Sequence, residues 1–424
     1  MEEQKQFEQK QQAPAGAAGP QLDSAPTGIY TPVQPEQLPP QPAGKPRKQK
    51  KQRKTMPRWA RITLKTTKWV MIVLLTVALV VGGVVGHLTI VEYRPAYSEN
   101  ASRGNYESSQ TVPRQTLRIM TLNTGYGGLG RDADFFMDGG KGVNPESEEQ
   151  VRENMSGIED ILRSANADLI LLQEVDTGSK RSYQLDQWRQ YEYDLGRYES
   201  RYALNYSCEY VPYPLPTIGK VHSGLATYSA YDIDSATRYS LPNPFSWPLR
   251  IANLKRCLLV TRLPIAGRTE DAAQQELVIV NLHLEAYDDG EGKAAQTEAL
   301  MKILQEEYEK GNYVIAGGDF NQAFSNYDNS AYPLVSEDMW TPGVIDVDEF
   351  SDNLTFVTDN STPSCRSLDR PLAGNDSDPS VFQYYMIDGF IVSDNLTINT
   401  VETRDLGFKN SDHNPIVMNV TVTK

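Results

Sequence analysis

"NYVIAGGDFNQ", residues 312–322, decides how this chain is read. An apolar run without polar alternation is a strand covered on both faces. It ends in two glycines and an aspartate. A carboxylate has no place inside such a strand, so Asp319 must stand where the strand surfaces. The same grammar recurs along the chain. "LRIMTLN" ends at Asn123, "DLILLQEVD" carries Glu174 near its end, and "LVIVNLHLEA" carries His283. "QYYMIDGFIVS" carries Asp388, and "KNSDHNPIVMNV" puts Asp412 and His413 just ahead of the last apolar run. Any one of these is an ordinary cap or turn. Recurrence at strand ends, which converge on one edge of a sheet, points to a site.

Between these strands lie helical patterns. "NPESEEQVRENMSGIEDILRSANA" has acids in its first turn and apolar residues at helical spacing. "GKAAQTEALMKILQEEYEKG" is a second helix, stopped by Gly311. The runs "RYALNYSCEYVPY", "SGLATYSAYDIDSATRYSL" and "LKRCLLVTRL" read as further strands. The mixture of βαβ-like units and hairpins predicts one α+β domain, two sheets face to face with helices outside.

The remainder of the chain is of a different kind. Residues 1–68 are rich in Gln, Pro, Ala and Lys and cannot bury enough apolar area to fold. They carry 13 Lys and Arg against 5 Asp and Glu, whereas the residues beyond carry 28 against 50. Trp69–Val91 is a 23-residue run without a charged side chain, long enough to cross a hydrocarbon core of ~30 Å. The Lys/Arg cluster "KPRKQKKQRK" before it predicts a cytoplasmic N-terminus and an external C-terminal part. Residues 92–114 read as a polar stalk and residues 115–424 as the folded domain. The three cysteines, Cys208, Cys257 and Cys365, allow at most one internal bridge.

Taken in order, "TLN", "LLQEV", "SGLATYS", "NLHL", "GDFN", "IDGFIVS" and "SDHNPI" resemble the endonuclease/exonuclease/phosphatase superfamily. This superfamily includes pancreatic-type deoxyribonucleases, sphingomyelinases and inositol-polyphosphate 5-phosphatases. The resemblance runs from Leu117 to the C-terminus and implies a four-layer α/β/β/α sandwich (DNase I-like), here in a membrane-anchored member of bacterial type. It also implies divalent-metal-dependent phosphoester hydrolysis, with Mg²⁺, or Mn²⁺ or Ca²⁺, as cofactor. By residue it implies Glu174, Asn123 and Asp412 as metal ligands, Asn123 through its amide oxygen. Asp388 and His413 would act with Asp319 to orient or deprotonate water, and Asn321 would hold Asp319 or the phosphoryl group. His283 resembles the deoxyribonuclease and sphingomyelinase branches, where it stabilises developing charge or protonates the leaving oxygen. Arg181, Tyr183 and His222 are candidates for substrate binding.

The substrate stays open: a lipid head group, DNA or a small phosphoester. An extracellular endonuclease and a sphingomyelinase-like phospholipase are the alternatives within the enzyme class. An acidic external part disfavours tight binding of a polyanion. A non-catalytic, membrane-tethered binding protein is the rival of another class; a missing site position would favour it, and none is missing. No protein partner can be deduced. The topology is testable: protease added to intact cells should remove the C-terminal domain and spare the tail, and protection of that domain would reverse the orientation.

Overall fold

The computed structural model describes residue 44 and residues 55–267, 275–288, 290–337, 339–375 and 378–422. Most of the tail expected to be disordered therefore lies outside the described residues. The chain divides into Met1–Lys68 and Trp69–Lys424. Helix α1 spans Arg58–Ile90, so the helix starts ahead of Trp69 and takes in residues 58–68. Lys and Arg are good helix formers, and the Thr63 and Thr66 hydroxyls donate to carbonyls four residues back. Its most apolar stretch has a mean hydropathy of 2.6 and no buried residue, which makes it the one helix among those described that is long and apolar enough to cross a membrane.

Two seven-stranded sheets build the rest. The first orders its strands Ser98–Asn100, Ser235–Ser240, Cys257–Pro264, Glu276–His283, Tyr313–Asp319, Asp388–Ser393 and Leu354–Val357. The second runs Leu396–Thr403, Ile416–Val422, Thr116–Asn123, Leu169–Asp176, Gly219–Ser229, Glu199–Val211 and Ser102–Arg103. Side chains alternate along each strand. Ile119, Leu169 and Leu171 meet Ile279, Ile315 and Phe390 between the sheets. Ile170 and Leu172 point the other way, under α2 (Glu148–Ala165) and α3 (Gln187–Leu195). Val278, Val280 and Val314 are covered by α4 (Glu291–Glu309) through Leu300 and Leu304. Burying each of these side chains stabilises the fold by roughly 1.5–3 kcal/mol. The architecture is the expected α+β sandwich of four layers.

Helix α3 has no counterpart in the sequence reading. Asp186 caps it by accepting from Arg189 N at 3.1 Å, and Gly196 ends it with φ 64°. The three cysteines are buried and unbridged.

Strand direction explains where the site lies. The strands ending at Asn123, Asp176, His283 and Asp319 finish at one end of the sandwich, and those beginning at Asp388 and Ile416 start there. Gly317 and Gly318 make the close approach possible. A Cβ on Gly318, whose φ is 151°, would stand 2.0 Å from the Leu282 carbonyl oxygen, and one on Gly317 would stand 2.5 Å from the Phe390 ring.

Residues 92–114 are not a stalk. Ser98–Asn100 pairs with Thr237–Tyr239 at the edge of the first sheet, and Ser102–Arg103 pairs with Arg201–Tyr202 at the edge of the second. Val112, fully buried, bridges to Ile265. The segment laces the two sheet edges together and covers backbone that an edge would otherwise expose. A second tie crosses the interior. Asn281 Nδ2 donates to the Leu172 and Ala226 carbonyls of the opposite sheet at 3.1 and 3.0 Å, and its Oδ1 accepts from Gln173 Nε2 at 2.8 Å.

Glu307 locks α4 to the first sheet. It accepts from Arg262 at 2.7 Å through both oxygens, from Asn312 at 2.9 Å and from Lys310 at 2.6 Å. Burial would raise its pKa, but the bonds from Arg262 and Lys310 outweigh that and hold it at about 2, down from 4.5. A depressed carboxyl contributes stability that is present above its unfolded value and lost as pH falls through its folded one. At ~1.4 kcal/mol per unit, Glu307→Gln should cost on the order of 3 kcal/mol at neutral pH. The difference from wild type should shrink on acidification from 4.5 towards 2. Urea unfolding at a series of pH values checks this; equal stabilities at neutral pH would refute it.

Candidate active site

Register places the centre of the site. Asp319 stands opposite His283 in one strand pair and opposite Asp388 in the other, so the three share one row across the first sheet. In the second sheet Asn123 stands opposite Gln173, next to Glu174. Glu174 lies where the ladder slips between Leu172 and Val175, with φ 54°. Such a bulge re-aims a side chain. Asn321, at φ 52°, and Tyr126, at φ 44°, are also left-handed. Asp412 and His413 come from the loop before Ile416, which Ser411 pins by donating to the Asn123 carbonyl at 2.8 Å.

Asn123 joins the two halves. Its Nδ2 donates to Glu174 Oε1 at 3.3 Å and to Asp319 Oδ2 at 3.1 Å. Its Oδ1 accepts from Gly125 N at 3.0 Å. The nitrogen, not the expected oxygen, therefore faces the carboxylates, because two acceptors need a donor between them. His413 Nδ1 donates to Asp388 Oδ2 at 2.8 Å. His413 Nε2 lies 3.8 Å from Asp319 Oδ2, and His283 Nε2 lies 3.5 Å from the same oxygen. Asp319 Oδ1 accepts from Asn321 N at 2.9 Å. The Asn321 side-chain amide donates to the Leu284 carbonyl at 2.9 Å, so Asn321 acts on Asp319 through its backbone.

Burial dominates the electrostatics. It raises Asp319 to about 7, with the Asp388 charge adding to the effect. It raises Asp412 to about 6, with a contribution from Glu174. His283 is held well below the ordinary imidazole value by burial, then by Arg256 and His413, and is neutral. Burial also opposes charge on His413, but Asp388 outweighs it and holds His413 well above that value. His283 Nδ1 and Asp388 Oδ1 are buried without a hydrogen-bond partner among the described residues.

Which cation would suit this centre follows from its donors. Asp319, Asp388 and His413 bring one ligand atom each within 4.8 Å of one another, and so do Cys365, Asp412 and His413. Burial pushes the Cys365 thiol up to about 12, so it is not the thiolate that a soft metal takes. With His413 committed to Asp388, the donors left in these groups are the oxygens of Asp319 and Asp412 and Asp388 Oδ1, and Glu174 adds a carboxylate beside Asn123. That set fits a hard cation.

The three candidates for substrate binding fare differently. Arg181 gives two bonds to Asp176, at 3.1 and 3.0 Å, and its guanidinium lies 3.7 Å from the centroid of the Tyr126 ring. It supports the wall of the site. Tyr183 does not join the cluster: its hydroxyl donates to the Pro145 carbonyl at 3.0 Å, and its ring packs among the residues under α2 and α3. His222 sits 2.7 Å from Thr177 Oγ1 and lines a neighbouring cavity of about 490 Å³ with Trp188, Tyr202 and Arg238. None of the clustered carboxylates lines that cavity.

Other residues at the site carried no sequence signal. Asp138, raised to about 7 by burial and then by Asp412, accepts from the Tyr287 hydroxyl at 3.1 Å. Arg256 donates to the His283 carbonyl at 3.3 Å and faces Glu285 at 3.5 Å. Both belong to loops whose partners are remote in sequence.

A family model, described as the endonuclease/exonuclease/phosphatase family, matches residues 120–413. No curated protein matches the chain by sequence. Among solved structures, the chain is similar to an endonuclease/exonuclease/phosphatase from Beutenbergia cavernae DSM 12333, with 19% identity over 73% of this chain and 72% of that one and a TM-score of 0.49. It is similar to truncated Caenorhabditis elegans TDP2, with 17% identity over 72% of this chain and 97% of that one and a TM-score of 0.43. It is also similar to the human Nocturnin catalytic domain with bound sulfate, with 16% identity over 76% and 97% and a TM-score of 0.42.

The imidazole states give a direct check. In ¹⁵N-histidine spectra of the detergent-solubilised chain, the His413 Nδ1–H proton should be strongly deshielded, and Asp388→Asn should remove that signal. His283 should keep a neutral pattern through the neutral range. An ordinary titration of His283, or no deshielded proton, would contradict the electrostatics above.

Proposed function

The chain belongs to the endonuclease/exonuclease/phosphatase family, and from that premise we propose that it is a divalent-metal-dependent phosphoesterase carried on a membrane by α1, with its catalytic domain at the outer face. The observation that carries the reading is the row His283–Asp319–Asp388, with His413 bonded to Asp388 and turned towards Asp319. The basic cluster ahead of α1 supports the orientation. The boundaries that fit it are a tail ahead of α1 and a domain that begins with the lacing segment.

Glu174 and Asp412 would hold the cation, Mg²⁺ by preference. When bound, such an ion supplies charge neutralisation at phosphoryl oxygens. The protein's own groups divide the remaining work. Asp319, 3.8 Å from His413 Nε2, is placed to orient water and accept its proton. Asn123 and the Asn321 backbone fix both of its oxygens. Asp388 holds His413 in the orientation that leaves Nε2 facing Asp319, where an imidazolium opposes charge developing on the phosphoryl group. Neutral His283 is placed to donate a hydrogen bond to the leaving oxygen as charge develops there.

The test uses the full chain against plasmid DNA, sphingomyelin vesicles and inositol phosphates, each with Mg²⁺ or EDTA. Turnover should require the metal on at least one substrate. Glu174→Gln should remove most activity without unfolding the protein. His413→Ala should cost about 10²–10⁴-fold, Asp388→Asn the same or less, and the double variant hardly more than His413→Ala, because residues acting as one unit are non-additive. Equal turnover in EDTA and Mg²⁺ ends the metal reading, and no turnover on any substrate ends the enzyme reading.

A further inference from the structure

The end of the sandwich that carries the site also carries the join to α1. Leu88, only 3% exposed, packs with Cys208, Val211, Val221 and Ile251, and Val85 packs against the same cluster. Trp247 Nε1 donates to Thr89 Oγ1 at 3.1 Å. Glu92, just past the helix, accepts from Arg250 Nε at 3.0 Å and from Arg94 Nε at 2.9 Å, and faces Lys255 at 3.4 Å. At ~1.5 Å per residue, the surfaces seated on Val85 and Leu88 lie level with the last turns of the helix. The domain is therefore fastened to the segment that would be leaving the bilayer.

Two loops flank that join, and both present large apolar side chains to solvent. The hairpin between Glu199–Val211 and Gly219–Ser229 exposes Tyr213 by 71% and Leu215 by 85%. The loop leading to Cys257 exposes Trp247 by 56% and Leu249 by 67%. Both loops border the mouth of the site. Asp176 pairs with Ser223, so the hairpin continues past the end of the Glu174 strand. Tyr213 touches Phe136, whose ring lies 6.0 Å away and which is two residues from Asp138. The second loop ends at Arg256, which donates to the His283 carbonyl. Aromatic and apolar tips level with the end of a spanning helix are what a membrane–water interface selects.

We propose that the Tyr213–Leu215 hairpin tip and the Trp247–Leu249 loop form a rim that docks on the bilayer crossed by α1, seating the mouth of the site on the lipid surface and giving it the phosphodiester of a membrane lipid as substrate. This rests on the phosphoesterase reading and on α1 as a span. It adds what each lacks: a fixed orientation and a substrate class. Burial of the rim fixes the tilt of the domain, and the ties at Glu92 and Thr89 prevent it from swinging away. A lipid head group then lies at the mouth without leaving the membrane. A long nucleic acid would have to enter between the rim and the head groups.

The full chain, reconstituted into vesicles of phosphatidylcholine and sphingomyelin, decides the matter. The native cysteines are buried, so Leu215→Cys can be labelled selectively with an environment-sensitive dye. Its emission should shift to the blue and be quenched by brominated lipid. A label at Tyr193→Cys, exposed on α3 beside Asp194 and remote from the join, should respond to aqueous iodide instead. Iodide quenching of both labels overturns the proposal. In the variant Leu215→Asp/Leu249→Asp, hydrolysis of vesicle phospholipid should fall roughly tenfold or more, since two apolar side chains lose their burial. Cleavage of soluble bis(4-nitrophenyl) phosphate should stay within about two-fold of wild type. Wild type that cleaves the soluble diester but not vesicle phospholipid refutes the substrate class alone. Wild type that cleaves neither refutes the phosphoesterase reading, while the Leu215 label still decides docking.

Discussion

Negative charge gathered between two apolar sheets is the constraint on which this structure depends. Asp319, Asp388 and Asp412 are each under 10% exposed, and Glu174 and Asp138 border them. Burying carboxylates in this way is costly unless each finds a donor or a counter-charge. The protein supplies few of either at the centre. Asn123 shares one amide between Glu174 and Asp319, and His413 serves Asp388. The nearby arginines are committed elsewhere: Arg181 to Asp176 and Arg256 towards Glu285. The deficit shows in Asp319, Asp412 and Asp138, all raised by burial and then by a neighbouring carboxylate: Asp388, Glu174 and Asp412 respectively. A cluster of oxygens short of positive charge is what a hard divalent cation completes.

Backbone strain concentrates at the same place. Glu174, Asn321 and Tyr126 hold left-handed angles that side chains rarely adopt, each costing about 1–3 kcal/mol unless the surroundings over-determine it. Here the surroundings do: the ladder slips at Glu174, Asn321 N is bound to Asp319, and Tyr126 is clamped beneath Arg181. The glycines before Asp319 serve the same end. They let that strand approach its two neighbours closely enough for His283, Asp319 and Asp388 to share one row.

Much of this was legible in the sequence, for a physical reason. A strand buried on both faces must be apolar, so a polar residue at its end is conspicuous, and seven such residues in order marked the site. What escaped the reading had no such contrast. Asn123 could be placed, but the direction of its amide depended on the carboxylates around it. Tyr183 and His222 lie near Glu174 in the chain or in the next strand, yet their partners, Pro145 and Thr177, turn them to other tasks. Asp138 and Tyr287 meet only because two loops, 149 residues apart, fold over the same mouth. Short polar edge strands bury little and follow no period, so residues 92–114 looked like a spacer.

That segment shows why helix α1 and the site share an end. The first central strand, Thr116–Asn123, must finish at the site, so it has to begin at the opposite end. Helix α1 finishes beside the site end, against Val211 and Val221. The chain between them therefore travels the length of the sandwich before the domain's central sheet can start. It does so along the open edges, pairing first near Tyr239, then near Tyr202, and last at Ile265. A loose linker would leave both edges exposed and the domain free to turn. A laced one closes the edges and fixes which face of the protein meets the end of α1. The same residues that complete the fold thus set the orientation of the candidate site.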